Sequence, residues 1–252
     1  MILEIAFKEF NRHKLRTFLT MLGVTIGVFL LTSISSISEG LTLYINEQIS
    51  LTSGLVFVRE NDIPLFMIYR SEISQDITDD IKNIEGIDRI AEILIVNSDI
   101  GRVIGVNPEN KELLRGVNID IEEGREYDAN QYEVVVGKKL AEKMDYVVGD
   151  EIKIFDKNLE IVGILEETGK EQLDNSLFVD LEVLQEISKK NDKITFLLIK
   201  PIRVEDAGKI EEEINDNIDG IEASTDKSLM NNVNRTLSQL NIMTFALGGI
   251  AG

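Results

Sequence analysis

From Thr17 to Ser38 the chain carries no charged residue. An α-helix rises about 1.5 Å per residue, so a run of this length covers the roughly 30 Å hydrocarbon core of a bilayer, where only a helix satisfies its own backbone polar groups. The flanks give it a direction. Ahead of it, Ile2, Leu3, Ile5, Ala6, Phe7 and Phe10 form a broad apolar face, and Lys8, Arg12, Lys14 and Arg16 form a wet one. That is the pattern of a short helix lying on a membrane surface. Behind the run stand Glu39 and Glu47. The positive-inside bias therefore places residues 1–16 in the cytoplasm as an amphipathic helix, 17–38 across the cell membrane and 39–239 outside the cytoplasm. A cleaved signal peptide would carry an apolar region of about 7–15 residues before a small-x-small site. Ser33, Ser35, Ser36 and Ser38 supply small residues, but the apolar run is longer. A buried core helix would show charge on a wet face. A retained span is the reading that fits the pattern.

Beyond the span the period changes. Leu41, Ile45 and Ile49 recur every fourth residue, so the spanning helix is expected to continue outward as a stalk over 39–54, ended by Ser53 and Gly54. Residues 55–59 alternate as a strand. After a loop at Pro64, Ile73, Ile77, Ile81 and Ile84 line one face of a helix predicted for 71–85 and stopped by Gly86. Residues 87–106 hold two strands with a turn near 97–101. From 107 to 190 short strands and tight turns surround single helices. Strands are predicted at 133–136 and 176–179, helices at 138–144 and 181–188, and a hairpin pairs 151–155 with 160–165 across Asp156-Lys157-Asn158. The strand-helix-strand pattern of 55–106 then returns: a strand at 194–199, a helix at 204–218 with Ala207, Ile210, Ile214 and Ile218 on one face, and a strand at 221–224.

These elements predict an α+β fold: an N-terminal transmembrane helix followed by an extracytoplasmic two-lobed domain. A strand-helix-strand lobe (55–106 and 191–227) would carry an inserted small β-rich lobe (107–190), with the two flanks sharing one sheet. In the last segment Leu229, Val233, Leu237 and Leu240 form a stripe that runs into the uncharged residues 242–252. These are too few to cross a bilayer, so 228–252 is expected to be a second stalk helix and the start of a truncated second span, with a docked terminal helix as the alternative.

Composition narrows the function. The formal net charge is −19, and because residues 1–16 are net basic the remainder is more acidic still. Such a surface repels polyphosphates, which argues against nucleic acid as a partner. The chain has no cysteine, which removes disulfides, Cys-ligated zinc and thiol nucleophiles. Stability must come from a packed core, for which roughly 190 outer residues suffice.

Motifs with chemistry fail on detail. Gly163 to Lys170 suggests a phosphate loop, but five residues separate the glycines, Glu171 replaces the magnesium-binding Ser/Thr, and Glu166-Glu167 would repel phosphate. Asn215, Asn217, Asp219, Gly220 and Asp226 approach a calcium loop. Its apolar eighth position is Glu222, however, and its bidentate terminal Glu is Asp226, and a helix end turned at Gly220 explains the same residues. The carboxylates at Asp79-Asp80, Glu122-Glu123, Glu166-Glu167 and 211–213 are mostly sequence neighbours, whose side chains diverge. His13, the only histidine, lies in the basic segment, so no His-based triad or metal site is expected outside. No catalytic, cofactor or metal residue is assigned. The residues singled out are Gly23 and Gly27, a small-xxx-small spacing that would let helices pack closely.

The opening Phe10-Asn11-Arg12-His13-Lys14-Leu15-Arg16-Thr17-Phe18-Leu19-Thr20-Met21-Leu22-Gly23-Val24-Thr25-Ile26-Gly27-Val28 closely resembles the start of MacB-type ABC transporter permeases. Gly116 to Arg125 resembles that family's "G…GR" stretch. Val134-Val135-Val136-Gly137 with Leu140-Ala141 resembles a strand and helix of the family, and Gly149-Asp150-Glu151-Ile152 with Ile161-Val162-Gly163-Ile164-Leu165 resembles its hairpin. The resemblance implies an extracytoplasmic domain between the first and second of four transmembrane helices. It also implies a dimer of permeases, identical or related, working with a cytoplasmic ABC ATPase. ATP and magnesium would sit on that partner, this chain would not itself be an enzyme, and ATP-driven motion would reach the outer domain by mechanotransmission for efflux or extraction of a substrate. A single-span anchored binding or sensor domain is the alternative.

Overall fold

The computed structural model describes residues 14–51, 54–114 and 120–232, together with 235, 238, 239 and 242. It divides into two units, Met1–Glu47 with Met230–Gly252, and Gln48–Leu229. The surface helix expected over 1–16 lies outside the described residues up to residue 13, as does most of 233–252.

Helix α1 runs from Lys14 to Leu51 without a break, 38 residues and so about 57 Å. The expected span and stalk are thus one helix, and Lys14 and Arg16 belong to its first turn.

The outer unit is built on a ten-stranded sheet. Its strands are β1 (Val56–Glu60), β3 (Ile87–Asn97), β4 (Arg102–Val106), β5 (Ile121–Gly124), β6 (Glu133–Val136), β7 (Glu151–Ile154), β8 (Lys157–Leu165), β9 (Ser176–Val179), β11 (Phe196–Pro201) and β12 (Ile221–Thr225). They lie in the order β12-β1-β11-β3-β4-β9-β6-β8-β5, with β7 also on β8. Most neighbours are antiparallel; β4 with β9 and β6 with β8 are parallel. Two short strands, β2 (Ile73–Ser74) and β10 (Lys193–Ile194), pair separately. The expected sheet shared by the flanks is present. Strands β5 to β9, all within 107–190, continue that same sheet rather than closing one of their own.

Both faces of the sheet are buried, which the alternation along each strand makes plain. Val56, Val58, Val134, Val136, Leu177, Val179, Leu197 and Ile199 join one apolar cluster, while Phe57, Val135, Phe178, Phe196 and Leu198 join the other. The first cluster is covered by α2 (Ile77–Ile81), α4 (Lys138–Met144), α6 (Leu181–Ser188) and α7 (Ala207–Asn217), through Ile81, Leu140, Leu184, Ile210 and Ile214. The second is covered by α3 (Lys111–Leu114), α5 (Glu171–Asp174) and the 3-10 segment Leu65–Arg70, through Leu113, Leu173 and Ile68. Full burial of such a side chain is worth about 1.5–3 kcal/mol.

Three elements differ from their sequence expectation. The helix expected over 71–85 shrinks to α2, because Ser71 Oγ donates to Thr195 C=O (2.6 Å) and accepts the Glu60 N–H (3.1 Å), and Ile73-Ser74 pair with β10. Ile73 stays buried, but as a strand residue. The strand expected over 194–199 breaks at Thr195, and the hairpin turn is Phe155-Asp156, since Ile154 pairs with Lys157.

Two glycines fix how β5 crosses β8. A Cβ on Gly124 (φ +82°) would overlap the Val162 carbonyl oxygen, and one on Gly163 would overlap that of Arg125. Here β8 also carries one extra residue: Val134 pairs with Ile161 and Val135 with Gly163, a bulge that restores the in-out alternation afterwards. Gly163→Ala should therefore cost about 2–3 kcal/mol by overpacking against backbone, read as a lower urea midpoint with an unchanged m-value. A loss below about 0.5 kcal/mol would show that the crossing relaxes freely.

Candidate functional site

Within α1, Lys14–Ile34 is long and apolar enough to cross a membrane, and none of that window is buried. Leu15, Phe18, Leu19, Met21, Leu22, Val24, Ile26, Val28 and Phe29 are all exposed, so apolar side chains surround the axis instead of marking one core-facing stripe. Two hydroxyls in the window are satisfied internally: Thr20 Oγ1 donates to Arg16 C=O and Thr32 Oγ1 to Val28 C=O, both at 3.0 Å. Such back-bonding removes the cost of a free hydroxyl in hydrocarbon. Gly23 and Gly27 sit one turn apart, and a Cβ on either would meet nothing within 4 Å.

In the outer unit the polar residues with the densest connections follow β5. Arg125 N–H donates to Val162 C=O (2.8 Å), and its guanidinium grips Glu133 at the start of β6 with two nitrogens. Glu133 also accepts the Asp128 N–H (2.9 Å). Arg125, first, and that N–H hold the Glu133 carboxyl below the usual carboxylate range. Glu126 pairs with Lys111 at 2.9 Å, and the buried Tyr127 hydroxyl donates to Val106 C=O on β4 (2.9 Å). Residues 124–127 thus clasp β8, β6, α3 and β4. The cavity against this clasp, lined by Val106, Leu114, Tyr127 and Phe178 among others, has about 20 Å³, room for roughly one water and no ligand.

The other sequence candidates resolve into structure. In the would-be phosphate loop, Thr168 donates both N–H (2.8 Å) and Oγ–H (2.7 Å) to Asp174, whose carboxylate is fully buried, so the loop's donors are committed to an anion of the chain itself. In the would-be calcium loop, the Asn215 amide donates to Ala223 C=O (3.0 Å) and accepts its N–H (2.8 Å), tying α7 to β12. Gly220 supplies the positive φ of the turn. Among the described residues no group of three or more His, Asp or Glu could hold a metal. Arg59 is buried on β1 against Glu222 (2.9 Å), its pKa lowered by burial with Glu222 opposing, and its Nε and Nη1 have no hydrogen-bond partner.

Comparison with known proteins turns on residues 17–217, which match the model of the MacB-like periplasmic core domain. The chain belongs to the MacB-like periplasmic core domain family. Its relatives include an uncharacterized ABC transporter permease, MJ1507 of Methanocaldococcus jannaschii, 27% identical over 231 residues, which cover 84% of this chain and 57% of that protein. Another is the uncharacterized ABC transporter permease YknZ of Bacillus subtilis, 23% identical, with 99% of this chain and 69% of that one covered. A third, the lipoprotein-releasing system transmembrane protein LolC of Buchnera aphidicola, is 26% identical, with 73% and 44% covered. The chain thus spans little more than half of the M. jannaschii relative. The fold agrees with the periplasmic region of MacB from Actinobacillus actinomycetemcomitans (TM-score 0.58, 10% identity, 76% of this chain and 98% of that one). It agrees also with the extracellular domain of YknZ (TM-score 0.52, 14% identity, 68% and 100%).

Membership in the MacB-like family gives the sequence motifs a location. Gly124, Arg125 and Gly163 meet at the β5–β8 crossing, and Gly137 ends β6 where a Cβ would overlap the backbone carbonyls of Leu173 and Asp174. The partners Lys111, Tyr127 and Glu133 escaped sequence reasoning, because their contacts cross turns with no periodicity; the one available signal was a lone Arg-Glu spacing of eight. Because the folded-state pKa of Glu133 is depressed, its contribution to stability is present above the unfolded carboxylate pKa and lost as pH falls through the folded one. Unfolding followed from pH 7 to about pH 3 should show Glu133→Gln less stable than the parent at neutral pH and the gap closing on acidification. A gap independent of pH would assign the loss to packing.

Proposed function

We propose that the chain is part of the permease subunit of a MacB-type ABC transporter, relaying cytoplasmic ATP hydrolysis to its extracytoplasmic domain for export or extraction of a substrate. One observation carries this reading: in a chain of this family, a single unbroken helix contains the candidate span and runs on for 17 more residues, from Ser35 to Leu51. A helix is a stiff element because every backbone group in its interior is bonded to the next turn. A tilt of about 5° at one end of a helix about 57 Å long moves the other by about 5 Å, which suits it to pass motion rather than chemistry. Lys14 and Arg16 set the basic end in the cytoplasm by the positive-inside bias. ATP and magnesium belong on a partner ATPase. A second permease, identical or related, completes the assembly, and Gly23 and Gly27 offer neighbouring helices a close approach.

The test is co-purification from detergent of the reading frame containing this chain with the ATPase encoded beside it. A stable complex with vanadate-sensitive ATP hydrolysis is expected. Recovery of the chain with no ATPase overturns the reading in favour of a single-span anchored binding or sensor domain. Replacing both Gly23 and Gly27 by Leu should lower recovery of the complex about tenfold, equivalent to about 1.4 kcal/mol. Unchanged recovery would remove the packing role.

A further inference from the structure

Strand β3 outruns its partner. It has eleven residues, but β11 pairs with it only as far as Ile93. Thr195 ends that ladder: its N–H donates to Ile93 C=O (2.7 Å), and its hydroxyl, in place of a backbone carbonyl, accepts the Ile95 N–H (2.9 Å). The residues just before, Lys193-Ile194, turn away to pair with β2. On its other side β3 stays paired with β4 as far as Asn97. Within an antiparallel strand the N–H and C=O of one residue point to the same side, and the side switches at each residue. Ile93 and Ile95 direct theirs away from β4, so Ile95 C=O and Asn97 N–H face outward past Thr195. Neither makes a hydrogen bond among the described residues.

These groups open on a groove of about 450 Å³, whose lining includes Tyr69, Arg70, Glu72, Val96, Asn97 and Lys190. That volume lies within the range of about 300–1,000 Å³ of ordinary binding clefts. Its charge runs against that of the chain. Lys190 and Glu72 are paired at 2.6 Å, and Arg70, exposed, forms no ion pair among the described residues, so the groove presents a spare cation on a chain of net charge −19. Of the other edge strands, β5 carries Glu122 and Glu123 and β7 carries Glu151 and Lys153, charges of the kind that discourage strand addition, while on β12 the Ala223 N–H and C=O are taken by Asn215 and the Thr225 N–H by Glu211. The open stretch of β3 has half-buried Ile95 and Val96 instead.

We propose that this groove receives an extended segment of a partner polypeptide, which adds a short strand to β3 at Ile95–Asn97 and sets a carboxylate on Arg70. Strand addition takes affinity from backbone hydrogen bonds and specificity from side-chain positions, and the groove supplies both. The inference rests on the outer unit alone and is independent of any ATPase.

The test uses the full chain in detergent and three fluorescent seven-residue peptides of alternating Thr and Val with a central Glu, Gln or Lys. The Glu peptide is expected to bind at least about tenfold more tightly than the Lys peptide, and Arg70→Glu, at an exposed position, to reverse that order. Hydrogen exchange at the Asn97 amide should slow when the Glu peptide is added. No binding up to about 1 mM, or binding indifferent to the central charge and to Arg70→Glu, overturns the proposal. Protection of 95–97 that rises with chain concentration in the absence of peptide overturns it too, assigning the edge to a second copy.

Discussion

The parallel pairing of β4 with β9, from Arg102↔Ser176 to Gly105↔Val179, is the seam on which the outer domain depends. It joins two groups of strands far apart in sequence: β12, β1, β11, β3 and β4 on one side, and β9, β6, β8, β5 and β7 on the other. Parallel neighbours need a long crossover, and this one contains everything from α3 to α5. The seam is covered at once. Asp180, directly after β9, accepts the N–H groups of Glu182 and Val183 and so caps α6, which returns over the junction. Gly105 makes room for it: a Cβ there would stand 2.9 Å from Leu184 Cδ2 and 3.3 Å from Leu181 Cα. A side chain at 105 would lift α6 off the sheet just where the two halves meet.

Local elements were legible wherever period and burial agree. β6, β9, α4 and α6 fall where alternation and helical spacing place them, because each is decided by one buried face and by punctuation at its ends, such as Gly137 and Asp180. Ile73, Ile77, Ile81 and Ile84 misled because a spacing of four fits a helix, while the structure takes Ile73 into β2 by bonds from Ser71 to Thr195, 124 residues away. A periodicity scan sees the isoleucines and is blind to that bond. The continuity of the sheet was likewise hidden: 107–190 reads as a separate lobe because its strands are short, and only the β4–β9 register shows that they extend the flanks' sheet.

The candidate site divides in the same way. The apolar span and its basic flank are composition, so they stand in the sequence outright. Gly124, Arg125 and Gly163 stand there as motif letters, but what they do is tertiary. Two backbones cross where neither tolerates a Cβ, and the arginine that follows the crossing ties it to Glu133 on the strand beyond β8. Gly23 and Gly27 look identical to these as letters yet differ in kind, since among the described residues a Cβ on either would meet nothing within 4 Å. A glycine pressed against backbone holds a fold together; these two have no such role among the described residues.

The placement of charge follows the same logic. The chain is acidic overall, yet several of its buried or half-buried ions are answered by a partner: Arg59 by Glu222, Asp174 by Thr168 and Lys139, Glu133 by Arg125. Desolvating an unpaired ion costs far more than an exposed pair returns, which favours charges in such company near the core. The excess of carboxylates lies at the surface, where it also guards the edge strands β5 and β7, and on β12 side chains of Asn215 and Glu211 take up edge groups. A stretch of edge that is unguarded, half-apolar and flanked by a spare arginine is therefore the exception that the rest of the charge pattern makes conspicuous. Leaving Ile95 C=O and Asn97 N–H to water costs little while the groove is open. The same two groups gain hydrogen-bond partners when it fills, which is why the end of β3, and not a guarded edge, is where the domain is built to meet another polypeptide.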